Sequence, residues 1–195
     1  MEKSIKGFIS ENIDVQKAIY EDSKLISDIK RCCEVIVECF KNDRKVLFCG
    51  NGGSAADAQH FAAELSGRFK LNRAPLYAEA LHVNSSYLTS VANDYSYEDI
   101  FSRAVASKGK AGDILVGIST SGNSENVIRA LKQAKKINMI TIGFTGKSGG
   151  KMAELCDYLL NIPSQNTPRI QEAHELIGHI VCEIVEARLF KQKNH

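Results

Sequence analysis

The chain has 195 residues, 44% of them hydrophobic and 25% charged, and its 25 Lys and Arg against 23 Asp and Glu leave a net charge of +2. Those proportions belong to an ordinary globular protein and exclude extended disorder, while the near balance of charge gives no global field toward nucleic acid or an anionic membrane. The charged N-terminal stretch has neither an apolar signal core nor a run long enough to span a bilayer, so a cytoplasmic location is expected.

From Ile13 to Phe40, Ile19, Leu25, Ile26, Ile29, Cys33, Ile36 and Phe40 recur at helical spacings between charged positions, which predicts an N-terminal helical pair. Strand-length apolar runs follow at Val46 to Cys49, Ile114 to Ile118, Met139 to Phe144 and Tyr158 to Ile162, with a weaker candidate at Ala78 to Val83. Helical patterns lie between and after them, at Ala55 to Phe69, Ser85 to Val91, Glu125 to Lys136 and Arg169 to Phe190, the last opened by Pro168. Strand and helix in alternation predict an α/β fold with a parallel sheet. No repeat or linker divides the chain, so one domain over residues 1–195 is expected, with residues 1–42 as its helical extension. Cys32, Cys33, Cys39, Cys49, Cys156 and Cys182 form no C-x-x-C pair and are expected as reduced, mostly buried thiols.

A parallel sheet offers ligand sites beyond the carboxyl ends of its strands, where loops lead into helix N-termini. Two such loops carry chemistry. Gly50-Asn51-Gly52-Gly53-Ser54 follows the first strand, where glycines allow close backbone approach and Ser54 can cap a helix or bind an oxyanion. A plain tight turn would use similar residues. Ser119-Thr120-Ser121-Gly122-Asn123-Ser124 places four hydroxyls at another helix start, a neutral cradle suited to phosphate, or an elaborate N-cap. The chain lacks the lysine-bearing loop that binds nucleoside triphosphates. Farther on, His60 and Glu64 share a helical face at i, i+4, and Gln171, Glu175 and His179 follow one another at four-residue steps. Either set alone could be an exposed pair; on a helix rich in Ile and Val, the second is expected to border a partly buried site.

Taken together, GNGGSAADAQHFAAEL, VANDY, GISTSGNSENVIRAL, TGKSGGKM and RIQEAHELIGH resemble the successive motifs of the phosphoheptose isomerases, within the sugar isomerase (SIS) domain family. The resemblance covers nearly the whole chain. It implies a flavodoxin-like αβα sandwich, a homotetramer with active sites assembled between subunits, and N-terminal helices packing on the domain or on a neighbouring subunit. It also implies conversion of sedoheptulose 7-phosphate to manno-heptose 7-phosphate, the first step toward nucleotide-activated heptose for surface polysaccharide. By that resemblance Glu64 is the carbon base and His179 shuttles protons at the oxygens. Substrate would be held by Asn51, Gly52, Gly53, Ser54, Glu64, Arg68, Asn93, Asp94, Ser119, Thr120, Ser121, Ser124 and Gln171. Zinc would be held by His60, Glu64, Gln171 and His179, with no nucleotide cofactor. Pro168 departs from relatives that carry an acidic residue there, which leaves the preferred or modified sugar open. A noncatalytic phosphosugar-binding or replication-associated SIS protein is the rival reading, and the presence of both Glu64 and His179 counts against it.

Overall fold

A computed structural model describes residues 1–190. Strands β1 (Val46–Gly50), β2 (Ala78–Ala80), β3 (Ile114–Ser119), β4 (Ile140–Thr145) and β5 (Tyr158–Asn161) form a parallel sheet in the order β2-β1-β3-β4-β5. Every residue of β1 and β3 is buried. That is why these segments read as continuous apolar runs rather than as alternating ones: both faces of the sheet are covered.

Successive side chains of a strand point to opposite faces. Accordingly Val46 and Phe48 enter one core while Leu47 and Cys49 enter the other. The first core joins the sheet to α2 (Ser23–Lys41), α3 (Gly53–Ser66) and α7 (Thr167–Phe190), through residues such as Cys33, Phe61 and Ile177. The second joins it to α5 (Ile100–Lys108) and α6 (Glu125–Lys136), through Phe101, Ala104 and Leu131. Helices on both sides of the sheet make the expected three-layer αβα sandwich, and the strand order is the flavodoxin-like one. Helix α4 (Ser85–Asp94) lies between β2 and α5, and α1 (Glu2–Glu21) packs on α2 and α7.

The N-terminal segment is two helices, broken at Asp22, whose carboxylate accepts from the Leu25 N–H at 2.9 Å and so starts α2. Strand and helix ends fall mostly within two residues of those expected, and three are displaced by three residues. Helix α3 stops at Ser66, where Gly67 closes it, rather than running to Phe69. Helix α4 continues to Asp94, which puts Asn93 and Asp94 on its last turn. Strand β2 is three residues long, not six. Helix α5 was not anticipated at all. Its nine residues bury Ile100, Phe101, Ala104 and Val105, mainly against α6. A helix so short is marginal in isolation and owes its existence to that packing. All six cysteines are free, five buried and Cys156 half-buried, as expected. Burial pushes the Cys32, Cys39 and Cys182 thiols up to about 12, so they stay protonated.

The chain leaves β1 toward α3 and β2 on one side, and leaves β3 toward α6 and β4 on the other. Gly50 pairs with Ile118, so the glycine turn and the serine loop emerge side by side at this switch point. A ligand crevice belongs there.

Candidate active site

The turn after β1 is a strut between two helices. The Asn51 side-chain amide donates to Asn126 Oδ1 at 2.9 Å and accepts from Asn126 Nδ2 at 2.8 Å and from the Tyr97 hydroxyl at 3.0 Å. The oxygen of Asn51 is thereby filled, and one N–H remains for a ligand. Buried Asn126 also accepts from the Val127 N–H at 2.9 Å, locking the start of α6. Gly52 is the N-cap of α3. At Gly53 an added Cβ would strike the Gln171 carboxamide, so glycine there lets α7 close against the start of α3. Ser54 is buried at the first turn of α3.

In the serine loop the hydroxyls face one another instead of capping the helix. Ser124 is the N-cap of α6 but makes no side-chain cap bond; its Oγ lies 2.9 Å from Ser119 Oγ, and Ser121 Oγ lies 3.4 Å from the same atom. Asn126 Oδ1 takes the Val127 N–H that such a cap would have bonded, and the hydroxyls, turned toward one another at the helix start, are available to an anion beside the remaining first-turn N–H groups. Gly122 has φ 65°, and a Cβ on it would collide with the Gly149 carbonyl. The loop is also braced by Met152 N–H to Gly122 O at 3.1 Å and Lys151 N–H to Asn123 Oδ1 at 3.0 Å. Thr120 is half-buried and accepts the Gly146 N–H through its carbonyl at 3.0 Å.

A second group of predicted residues lies down the groove between α3 and α7, which run side by side in the same direction. His60 Nε2 is 2.9 Å from His179 Nε2 and 3.4 Å from Glu64 Oε1. The three ligand-type atoms of His60, Glu64 and His179 all fall within 4.8 Å of one another. Glu175 joins them, its Oε1 3.5 Å from Nε2 of each histidine. Phe69 stacks on the His179 ring, with centroids 5.7 Å apart and planes at 24°. Two imidazole nitrogens and a carboxylate oxygen are donors that suit zinc, so the residues present fit such an ion.

Above this cluster, half-buried Asp57 has an Oδ2 with no hydrogen-bond partner. Burial, then the neighbouring Glu175 carboxylate, pushes its carboxyl up to about 7. Below the cluster, Arg73 and Glu186 form an ion pair at 3.0 Å with both side chains only 2% exposed. Glu186 accepts from the N–H groups of Phe69, Lys70 and Leu71. Arg73 donates to the carbonyls of Glu64, Leu65, Gly67 and Ala74. The pair thus fixes the end of the helix bearing Glu64 and the loop bearing Phe69.

The remaining predicted residues divide. Asn93 and Asp94 are exposed and bonded to each other at 2.9 Å, one turn from Tyr97, which reaches Asn51. Arg68 is not brought to the serine loop within one chain. It is exposed just beyond the far end of α3, a helix about 21 Å long whose other end faces the loop. Sequence reasoning missed Asp57, Tyr97, Asn126 and the Arg73–Glu186 pair. Only Asp57 left a signal, one helical turn before His60.

The SIS domain family matches residues 8–146. A phosphoheptose isomerase from Clostridium acetobutylicum is 52% identical over 193 residues, covering 99% of this chain and 98% of that protein. The chain belongs to the phosphoheptose isomerase family. The structure of a phosphoheptose isomerase from Neisseria gonorrhoeae superposes with a TM-score of 0.90 at 43% identity, covering 95% of this chain and 98% of that one. One from Francisella tularensis gives 0.90 at 36% identity, covering 94% and 96%. The family's likeness extends over α7, which the SIS match stops short of and which carries Gln171, Glu175 and His179.

Proposed function

We propose that the chain, an isomerase by family, interconverts sedoheptulose 7-phosphate and D-glycero-D-manno-heptose 7-phosphate through an enediol, as an early step toward nucleotide-activated heptose for surface polysaccharide. The observation that carries this reading is the convergence of His60, Glu64 and His179 in one groove, in a family whose relatives are phosphoheptose isomerases.

In the ketose, the carbon next to the carbonyl carries an acidified hydrogen. Glu64 takes that proton, and the electron pair moves to form the enediolate, whose oxygens gain and lose protons through His179. The same carboxyl then returns the proton to the former carbonyl carbon, leaving an aldose. Each of the two groups typically contributes ~10²- to 10⁴-fold. Phosphate would sit on Ser119, Thr120, Ser121 and Ser124 at the start of α6, where unused helix N–H groups and hydroxyls can bond it. Asn51, Gly52, Gly53, Ser54 and Gln171 would line the adjoining turn, with Asn93 and Asp94 for sugar hydroxyls.

Zinc fits the donor set of His60, Glu64 and His179 and would polarise the sugar carbonyl or hold α3 and α7 in register when bound. The resemblance adds Gln171 to that set.

A homotetramer with shared sites is part of the same proposal. Glu64 lies eleven residues from Gly53, about 16 Å along the helix axis, so the phosphate cradle and the acid–base groove are well separated in one chain. A second copy could supply Arg68, and the N-terminal helices offer a surface for it. Ile5, Phe8 and Ile9 of α1 are more than half exposed, and a groove of about 480 Å³ opens between α2 and α7, lined by Ile26, Ile29, Val37, Ile180 and Ile184. Each copy would be one SIS unit over residues 1–195 in the cytoplasm. Among the described residues, no helix is long and apolar enough to cross a membrane.

A panel of ketose phosphates of five, six and seven carbons tests the substrate. Fastest turnover of sedoheptulose 7-phosphate supports the proposal; a preference for a pentose or hexose phosphate would replace the substrate while keeping the chemistry.

A further inference from the structure

We infer that Asn126 and Tyr97 are positioning residues for the substrate, resting on the sugar-phosphate reading proposed above: together they decide that the Asn51 amide offers the crevice an N–H and not its oxygen. The polarity starts at a group that has no choice. A backbone N–H only donates, so the Val127 N–H, 2.9 Å from Asn126 Oδ1, fixes which end of that carboxamide is oxygen. Asn126 Nδ2 is then a donor. It meets Asn51 Oδ1 at 2.8 Å, while Asn126 Oδ1 takes one Asn51 Nδ2 hydrogen at 2.9 Å. Asn126 is 3% exposed, so turning it over would set donor against donor at Val127 in a site with little access to water.

Tyr97 is the second lock. Its hydroxyl donates to Asn51 Oδ1 at 3.0 Å and fills that oxygen's other lone pair. Tyr97 is otherwise 56% exposed, and the short turn Tyr97–Asp99 is held from α6, where Arg129 reaches Asp99 at 2.8 Å and Glu98 at 2.5 Å. Arg129 follows Asn126 by three residues, so both locks start from one face of α6. That helix begins at the serine loop, so a phosphate seated there and the Asn51 amide share one frame. The hydrogen left on Asn51 Nδ2 suits an acceptor oxygen of the sugar phosphate.

The test is a pair of double-mutant cycles, with Tyr97→Phe and Asn126→Asp each made in the wild type and in Asn51→Ala. Steady-state kinetics with sedoheptulose 7-phosphate and the melting temperature are read for every variant. Tyr97→Phe removes one hydroxyl from an exposed ring. Asn126→Asp keeps the acceptor for Val127 but sets an oxygen against Asn51 Oδ1. A neutral hydrogen bond is worth ~2- to 10-fold in an equilibrium, and one made equally before and during reaction acts on KM alone. Tyr97→Phe is therefore expected to raise KM by ~2- to 10-fold, with kcat and melting temperature unchanged, and Asn126→Asp to raise KM further. In Asn51→Ala, Tyr97→Phe should have no further effect, and Asn126→Asp should keep only the part due to its added charge, because groups acting through one residue are not additive. Equal losses in both backgrounds overturn the inference, as does a wild-type KM in Asn51→Ala or in either single variant, and the sugar-phosphate reading then stands. Wild-type protein that neither binds nor converts sedoheptulose 7-phosphate overturns both.

Discussion

Replacing Glu186 with Gln removes one charge from a pair whose side chains are each 2% exposed. The carboxylate has two oxygens, and both are used: Oε1 accepts from Phe69 N–H and Arg73 Nε, Oε2 from Lys70 and Leu71 N–H. A carboxamide presents one oxygen and one NH₂, so two of these donors face another donor. Leaving buried donors unpaired costs ~1–3 kcal/mol each, and breaking a buried ion pair by removing one partner costs about 3–5 kcal/mol. The lower end applies, because Arg73 keeps four backbone carbonyls around its guanidinium. A loss of about 3 kcal/mol is expected. For a chain of this size ~1 kcal/mol corresponds to ~2–4 °C, so the melting temperature should fall by about 6–12 °C. Thermal and urea unfolding of chelated wild-type and variant protein measure it. A shift below about 2 °C would refute the view that this pair clamps the 67–76 loop. The pair should also make itself felt in acid. Burial alone would push the Glu186 carboxyl up, but the three N–H groups and Arg73 outweigh it and hold it below the ordinary value. Its contribution is present above the unfolded carboxyl's pKa and is lost as the pH falls through the depressed folded one.

Buried His174 contributes a second pH dependence. Burial lowers its pKa from 6.5 to about 4, against a bond from Nε2 to the Thr145 carbonyl at 3.2 Å. The unfolded chain therefore takes up a proton first, and about 3 kcal/mol should be lost as the pH falls from 6.5 to 4. His174→Gln should flatten that part of the stability profile; an unchanged slope contradicts the assignment. In the serine loop, Ser119→Ala with Ser124→Ala removes two hydroxyls that can bond phosphate, each worth ~1.5–3 kcal/mol toward a charged partner. Substrate affinity should fall at least tenfold with the fold intact, and an unchanged dissociation constant would remove the phosphate cradle from the account.

The parts of this protein that sequence makes legible are those written locally. The runs VLFC and ILVGIS announce buried strands, and GNGGS and STSGNS announce turns at their carboxyl ends, so the location of the crevice follows from the order of elements alone. The pair His60 and Glu64 is visible as one helical face. What stays hidden is pairing across distance. Asn51 meets Asn126 from 75 positions away and Arg73 meets Glu186 from 113, and no local pattern marks either. Glu175 was visible as a step in a helical series, but its level with His60 depends on how α7 slides along α3. That register is set by contacts such as Gly53 against Gln171, which only the packed structure supplies. Helix α5 escaped for a related reason: its apolar residues find their partners in α6.

The most direct test of the central claim is incubation of purified protein with sedoheptulose 7-phosphate in deuterium oxide, with NMR of the sugar, beside Glu64→Gln. The account predicts heptose 7-phosphate bearing solvent deuterium at the carbon next to the carbonyl, and neither product nor exchange in Glu64→Gln although the variant still binds the sugar. Conversion at the wild-type rate by Glu64→Gln, or no conversion by the wild-type protein with or without added zinc, would contradict it.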